Sequence, residues 1–424
     1  MLGKDTAQGS ALLPFGPEGL NMPSRGVDGL GDSVLGFGHS LVVDLPTESW
    51  NKSIDCCSWE GVKCDHVTGH VIGIDLSQSC LVGSLFANNS LFQLQNLQWL
   101  DLSYNYLEGS LLENTRSLFH FHGLRRLNLA GNGFDGTISS KLFSQLVSLT
   151  HLNLSDNAFS GLISHQIGVL LSLVSLDVSI SELRFDGQGF DLLARNLTKL
   201  RNLVLDYVDM SDVALTSFLN LSSSLEHLSL SHCQLHGEFP TQVSQLPNLK
   251  NLDLSENENL TGYLPNTDCS SGLELLDLSH CGFRGPIPAT FGNLTKIISV
   301  YLQGNSLEGQ IPDVFRDLRK LISLSFSSCN LSSPLPTTIF NLTKITYLDL
   351  SKNHLEGPFP NYVSGLQFLG KLRLFNNSIS GGVPVEHGLQ CNKRPESRLA
   401  AAADQHSSRT RSSLFLLFTF CLFL

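Results

Sequence analysis

Residues 246–265 read LPNLKNLDLSENENLTGYLP, and the segment LKNLDLS at the centre decides the fold. Leu252 and Leu254 alternate with Asn251, Asp253 and Ser255, giving a short strand with one apolar and one polar side. The same block, L-x-x-L-x-L-x-x-N/C-x-L, starts at Val71, Leu97, Leu124, Leu149, Leu173, Leu200, Leu225, Leu249, Leu273, Ile297, Leu321, Ile345 and Leu369. The steps are 26, 27, 25, 24, 27 and 25 residues, and then 24 six times running.

One such strand cannot bury its leucines alone. Stacked neighbours about 4.8 Å apart join into a parallel sheet with a shared apolar side. A period of roughly 20 to 29 residues with this leucine spacing marks leucine-rich repeats. The expected fold class is therefore an α/β solenoid of about 13 repeats. Such an array grows by stacking, so a length of 424 residues does not imply two or three compact domains.

The ninth position of the block is Asn at Asn105, Asn132, Asn157, Asn305 and Asn353. There the chain leaves the strand, and a buried amide satisfies the backbone groups the turn exposes. Cys233, Cys281 and Cys329 take that place in three other repeats. A thiol is small and tolerates burial, so these are expected to be reduced core residues. After this position the text runs LHGEFP, LTGYLP, FRGPIP, LEGQIP, LEGPFP and ISGGVP. Gly admits a turn with positive φ, and Pro fixes φ and has no N–H to pair. Text such as FGNLTKI and FRDLRKL between units has the apolar spacing of a short helical or 3₁₀ turn.

The formal charge is -11 and the pI near 5.6, which argues against nucleic acid as a partner, since phosphate binding needs a basic stripe. Ten Asn-x-Ser/Thr sequons, at Asn51, Asn88, Asn153, Asn196, Asn220, Asn259, Asn293, Asn330, Asn341 and Asn376, favour a secretory route. Asn196, Asn293 and Asn341 precede the next strand and are expected on its outer side, whereas Asn153 falls on a strand. The ten cysteines show no zinc-ligand spacing, and the 14 histidines are dispersed. No phosphate loop, kinase signature or H-E-x-x-H is present. The acids Asp253, Asp277 and Asp349 recur as part of L-D-L-S and read as structural. No catalytic residue, metal site or cofactor is expected, and an enzyme is not.

The boundaries read as follows. Residues 1–47 form a glycine-rich leader, in which Gly29, Gly31 and Gly36 lack the strand and helix a nucleotide loop needs. Residues 48–70 form a partial cap, and 71–384 the array. Residues 385–413 are a polar tail, and 414–424 a short hydrophobic C-terminus. Both polar ends read as disordered. Eleven almost wholly apolar residues are fewer than the roughly 20 of a membrane span, so no complete transmembrane helix is visible. Small residues at Ala400–Ala403, a polar spacer and the apolar end follow the order of a lipid-anchor signal, but no signal peptide is visible ahead of them.

The L-x-G-x-I-P ending resembles the plant-specific class of leucine-rich repeats. The text WNKSIDCCSWEGVKCD at 50–65 resembles the N-terminal cap of plant receptor-like proteins and receptor kinases. ANNSLFQLQNLQWLDLSYN at 87–105 is similar to receptor-like proteins of the disease-resistance kind, such as those against leaf mould and Verticillium wilt. The resemblance covers about residues 48–384. It implies a right-handed superhelix with the parallel sheet on its concave face. It also implies an extracellular or plasma-membrane location, a kinase-less receptor, pathogen perception and signalling through a partner receptor kinase. The family cap pairs the second Cys of CC with the Cys of GVxC, here Cys57 with Cys64. Its other bridge would take Cys56 to an upstream cysteine, which this chain lacks. That gap, and an array without a second cap, lead to the expectation of a truncated member. The alternatives are a secreted inhibitor similar to polygalacturonase-inhibiting proteins, or a non-functional fragment.

The candidate binding residues are the outward positions, which vary while the leucines stay. They are Trp99, Tyr104, Arg126, His151, Tyr207, His227, His232, His280, Tyr301, Tyr347 and Arg373. Aromatic and Arg side chains on a rigid scaffold suit a peptide, glycan or protein ligand on the concave face.

Overall fold

The computed structural model describes residues 50–380 except 51–52, 86–90, 92–93, 112–120, 139, 266–271 and 361–364, together with the backbone of strand Leu417–Thr419. The leader and the polar tail lie outside the described residues. By internal contacts the chain divides into two units, Met1–Leu225 and Glu226–Leu424.

In the first unit the repeat strands are Val71–Asp75, Trp99–Asp101, Arg126–Asn128, His151–Asn153, Ser175–Asp177 and Asn202–Val204. They pair in parallel and in sequence order. Ahead of them, Val62–Cys64 pairs antiparallel with Val71–Asp75. In the second unit the strands are His227–Ser229, Asn251–Asp253, Leu275–Asp277, Ser299–Tyr301, Ser323–Ser325, Tyr347–Asp349 and Lys371–Arg373, again parallel and consecutive. Leu417–Thr419 pairs antiparallel with Lys371–Arg373.

The register holds every repeat leucine against its equivalent. Leu228, Leu252, Leu276, Val300, Leu324, Leu348 and Leu372 face one another in turn, and all are buried. This is the α/β solenoid the leucine spacing predicts. Where the outer segments are described, repeats are completed on the far side by a short helix or 3₁₀ turn. These include Ser140–Gln145, His165–Val169, Leu215–Asn220, Ala289–Asn293 and Thr337–Asn341. The 27-residue step from Leu173 to Leu200 makes room for the ten-residue helix Gly187–Asn196. Asp186 starts that helix by accepting the Gly189 N–H at 2.6 Å. Phenylalanines fill the space between strand and outer turn. Phe190 packs on Phe218 with ring centres 4.7 Å apart, and Phe340 on Phe359 at 5.3 Å.

The Gly- and Pro-punctuated text is more than a turn. It forms a second parallel sheet in each unit. In the first this comprises Val82–Ser84, Tyr106–Ser110, Gly133–Gly136, Ala158–Leu162 and Glu182–Arg184. In the second it runs through Gly237–Glu238, Leu260–Tyr263, Gly282–Gly285, Ser306–Gly309, Asn330–Pro334, His354–Pro358 and Ser378–Ser380. The glycines keep positive φ inside these strands, as at Gly109 (88°), Gly161 (84°) and Gly309 (78°). Proline ends the strand in Asn330–Pro334 and His354–Pro358, where its missing N–H costs no ladder bond.

The ninth-position amides form the ladder the sequence implies. Asn105 Oδ1 accepts the N–H groups of Ser79 and Leu81 in the preceding repeat, and its Nδ2 donates to the carbonyls of Leu76 and Leu102. Asn132, Asn157, Asn305 and Asn353 repeat the pattern. Asn257 and Asn377 join it, so the ladder has two rungs beyond those read from the sequence. Cys281 and Cys329 imitate the donor half: their thiols donate to the carbonyls of Leu254 and Leu302 at 3.1 and 3.4 Å. Burial pushes the Cys281 thiol up to about 12 and that of Cys329 to about 11. Both are reduced core residues, as is Cys233.

At the cap, Cys57 and Cys64 are disulfide-bonded with Cα atoms 5.6 Å apart. Asp55 holds the preceding turn by accepting the Cys57 N–H, and Trp50 stacks on Trp59 at 5.1 Å. Cys56 is buried beside the bridge, and burial raises its thiol above the ordinary value, with the charge of Asp55 adding to the effect.

Candidate ligand-binding face

The candidate residues fall into three columns, set by their place in the block. Trp99, Arg126, His151, His227 and Tyr347 open their strands; Tyr301 and Arg373 close theirs. Tyr104, Tyr207, His232 and His280 stand one residue before the ninth position. This last column has a backbone signature the sequence does not show. In the first unit its members are Gln78, Tyr104, Gly131, Asp156, Ile180 and Tyr207; in the second, His232, Glu256, His280, Gly304, Ser328, Lys352 and Asn376. Every one has positive φ, between 51° and 71°. Eleven of the thirteen are not glycine, and each of those gives up about 1 kcal/mol of backbone preference to hold its side chain there.

In the first unit Trp99, Arg126 and His151 are direct cross-strand neighbours. Burial and the Arg126 charge hold the His151 imidazole below its ordinary pKa. Tyr104 and Tyr207 are both more than half exposed. In the second unit, Glu256 stands between His232 and His280 in the positive-φ column, and its carboxylate lies 3.9 Å from His280 Nε2. His227 opens the first strand of that unit, away from the hollow described next.

Tyr301, Tyr347 and Arg373 do come together. They line a hollow of about 360 Å³ with Gln303, Ser325, Ser327 and Asp349. Asp349 is only 3% exposed and works on both sides. Its Oδ1 accepts the N–H and hydroxyl of Ser351, closing the turn. Its Oδ2 accepts from the Tyr347 hydroxyl at 3.1 Å and from Arg373 Nη1 at 3.3 Å. Burial, then the charge of Asp349, raises the Tyr347 phenol above its ordinary value. Lys371 sits over the same ring, 5.6 Å from its centre. The acid read as structural is therefore structural and also orders the wall of the hollow. Asp253 and Asp277 make the turn bonds, to Ser255 and Ser279. The sequence signal for the hollow was the departure from L-D-L-S in LSFSSCN, which puts Ser325 and Ser327 between larger neighbours.

Of the sequons, Asn51 and Asn88 lie outside the described residues. Asn196, Asn220, Asn293 and Asn341 each end a helix or 3₁₀ turn on the side away from the strands, and all are exposed. Asn259, Asn330 and Asn376 are exposed as well. Asn153 stands on a strand, half-buried, with its Oδ1 engaged by Ser155. Among the described residues no helix is long and apolar enough to cross a membrane.

Known proteins share these features. Residues 32–65 match the leucine rich repeat N-terminal domain, which takes in part of the glycine-rich stretch as well as the cysteine-bearing cap. Residues 96–118, 148–170, 224–246, 272–294, 320–342 and 344–366 match the Leucine Rich Repeat. The chain is 39% identical over 227 residues to Receptor-like protein 6 of Arabidopsis thaliana, covering 52% of this chain and 20% of that protein. It is 38% identical over 221 residues to Receptor-like protein Cf-9 of Solanum pimpinellifolium, covering 52% and 22%. The matched stretches thus span about a fifth of the length of these curated relatives. Among solved structures it resembles the PEPR1–AtPEP1 complex, with a TM-score of 0.57, 25% identity, and coverage of 79% of this chain and 53% of that one. It also resembles a TDR receptor, with a TM-score of 0.54, 28% identity and coverage of 76% and 50%. The leucine register, the amide ladder, the second sheet and these likenesses together make the chain a plant-type leucine-rich repeat solenoid, similar over about half its length to receptor-like proteins.

Proposed function

We propose that this chain is the ligand-recognition part of a kinase-less plant receptor-like protein, exposed outside the cell or at the plasma membrane. It would perceive a pathogen-derived peptide, glycan or protein and signal through a partner receptor kinase. The observation that carries the reading is the positive-φ column. At positive φ the backbone is least strained with Gly, and the fold itself asks for no particular side chain there. This chain places Tyr, His, Glu, Lys and Asn at many of them, beside strand positions that carry Trp, Arg and His. Side chains held against a backbone cost on a rigid frame suit contact with a partner. The relatives named receptor-like proteins and the likeness to the PEPR1–AtPEP1 complex support the same reading.

A glycan makes a clean test. Ser323→Asn, followed by Leu324 and Ser325, creates a new Asn-x-Ser sequon on the strand side. Leaf tissue secreting the chain is challenged with microbial culture filtrates, and both filtrate binding and the oxidative burst are read. The wild type is expected to bind and respond, S323N to lose both, and Asn341→Gln on the outer turn to keep both. An unchanged S323N, or a wild type that binds no filtrate, overturns the proposal.

A further inference from the structure

The hollow between Tyr301 and Tyr347 has a chemistry more specific than that of the face around it. We infer that it is a subsite for a neutral, hydroxyl-rich ring, of which a pyranose unit of an oligosaccharide is the simplest example. This deepens the proposal that the strand side receives a ligand, and rests on it.

The walls come first. Tyr301 closes strand Ser299–Tyr301 and Tyr347 opens strand Tyr347–Asp349, two strands further on. At about 4.8 Å per strand the two lie roughly 10 Å apart along the stack. The strand between them is Ser323–Ser325, so the floor is made of small side chains. Tyr347 already has a cation on its ring: Lys371, its cross-strand neighbour on one side. Its neighbour on the other side is Ser323, which is too small to cover a ring. Two phenol rings therefore flank a gap with room for one saturated ring plus its substituents. The C–H faces of a pyranose carry slight positive charge and suit the negative face of an aromatic ring.

The polar groups narrow the class further. The acid and base lining the hollow are already paired, Asp349 Oδ2 with Arg373 Nη1 at 3.3 Å, so the site has little net charge to offer a charged ligand. The Oε1 of Gln303 is buried and has no hydrogen-bond partner among the described residues. Such an orphan acceptor is costly, and a turn of the Gln303 side chain towards the hollow lets a ligand donate to it. Ser325 and Ser327 each donate or accept, and Arg373 only donates. A set that mixes an orphan acceptor, a donor and two-way hydroxyls is matched by a ligand whose own groups do both. Hydroxyls do; a carboxylate only accepts, and an ammonium only donates.

The test is saturation-transfer NMR on the secreted, intact chain with four hexasaccharides: cello-, xylo-, chito- and galacturono-oligomers. Transfer is expected to at least one of the three neutral probes and to be weaker for the acidic one. Tyr301→Ala and Gln303→Leu should each weaken that binding about tenfold, with Glu108→Gln on the second sheet as a control that leaves it unchanged. Thermal melts of each variant establish that it folds, and the two hollow variants remove different chemistry, so misfolding of one does not void the other. No transfer from any neutral probe overturns the subsite, as does binding untouched by both folded variants or a preference for the galacturono-oligomer. If the saccharides fail while filtrate binding persists and is lost in S323N, the ring class falls and the strand-side reading stands. If filtrate binding fails too, both fall.

Discussion

The ring of Tyr104 lies directly over Gly131 of the next repeat: a Cβ placed on Gly131 would come within 2.5 Å of Tyr104 Cδ1. Gly131 holds φ at 65°, and Gly304 at 71° stands in the same relation to His280, whose Nδ1 a Cβ would approach to 2.7 Å. The two glycines of the positive-φ column thus sit where the preceding repeat carries an aromatic ring or imidazole. Gly131→Ala is expected to lower stability by about 1–2 kcal/mol from backbone strain alone, and to displace Tyr104. Urea denaturation gives the first quantity and tyrosine fluorescence reports the second. A substitution that leaves the midpoint unmoved would show that the column is not held as described.

Asn257 satisfies the N–H groups of Cys233 and Leu235 and donates to the carbonyls of Leu230 and Leu254. Asn257→Ala strands several buried groups at once and should cost about 3 kcal/mol or more. Asn257→Cys should cost less than half of that, because the chain itself places Cys at the same position in three repeats. Equal losses for the two variants, in guanidinium unfolding curves, would rule out a thiol as a partial stand-in.

The thiols of Cys281 and Cys329 are pushed up by burial to about 12 and about 11, from an ordinary value of 9.0. Below pH 9 both are protonated in the folded and the unfolded chain, so they confer no pH dependence there. Above pH 9 the unfolded thiols ionise while the folded ones keep their protons, Cys329 until about pH 11 and Cys281 until about pH 12. Stability therefore falls as pH rises through that window. In the native protein both should resist iodoacetamide at pH 8 and become reactive on unfolding. Mass spectrometry of the alkylated peptides checks this, and rapid labelling of either in the folded state contradicts it.

Ser333 occupies the place in the second sheet where other repeats have Gly, with φ at 91°. Its counterparts include Gly285 (81°), Gly309 (78°) and Gly357 (84°). Ser333→Gly relieves the strain but adds freedom to the unfolded chain, for a net gain of about 0.5–1 kcal/mol. Differential scanning calorimetry should show a higher melting temperature; a lower one would mean the serine side chain holds something the backbone needs.

Much of the core was legible in the leucines, because the strand period and the stacking distance leave one way to bury Leu252 and Leu254. The amide ladder was legible at Asn105 for the same reason. Asn257 was harder to see, since LSENENLTG carries an extra residue that shifts the following leucine out of phase. The second sheet was read as punctuation because Gly and Pro usually interrupt strands; here the Gly supplies the bend and Pro stands at a strand end. The positive-φ column was not legible at all. Gln78, Tyr104, Ile180 and Lys352 share no chemistry, so only the backbone reveals that they are equivalent. The hollow depends on Ser325 lying between Tyr301 and Asp349 across three repeats, a relation that exists only once the register is known.

The positive-φ column also makes the face unusually easy to survey. At most positions, trimming a side chain to see whether a partner misses it also disturbs the fold, and the two losses are confounded. Where the backbone already favours glycine, relief of strain offsets the added freedom of the unfolded chain, and the exchange is close to neutral for folding. Replacing Gln78, Tyr104, Asp156, Ile180 and Tyr207 in the first unit, and His232, Glu256, His280, Ser328, Lys352 and Asn376 in the second, by glycine, one at a time, would erase the side chains of each unit's column while the scaffold stays intact. Whatever such a series changes in binding can be assigned to contact, and a footprint could be drawn before the ligand has a name.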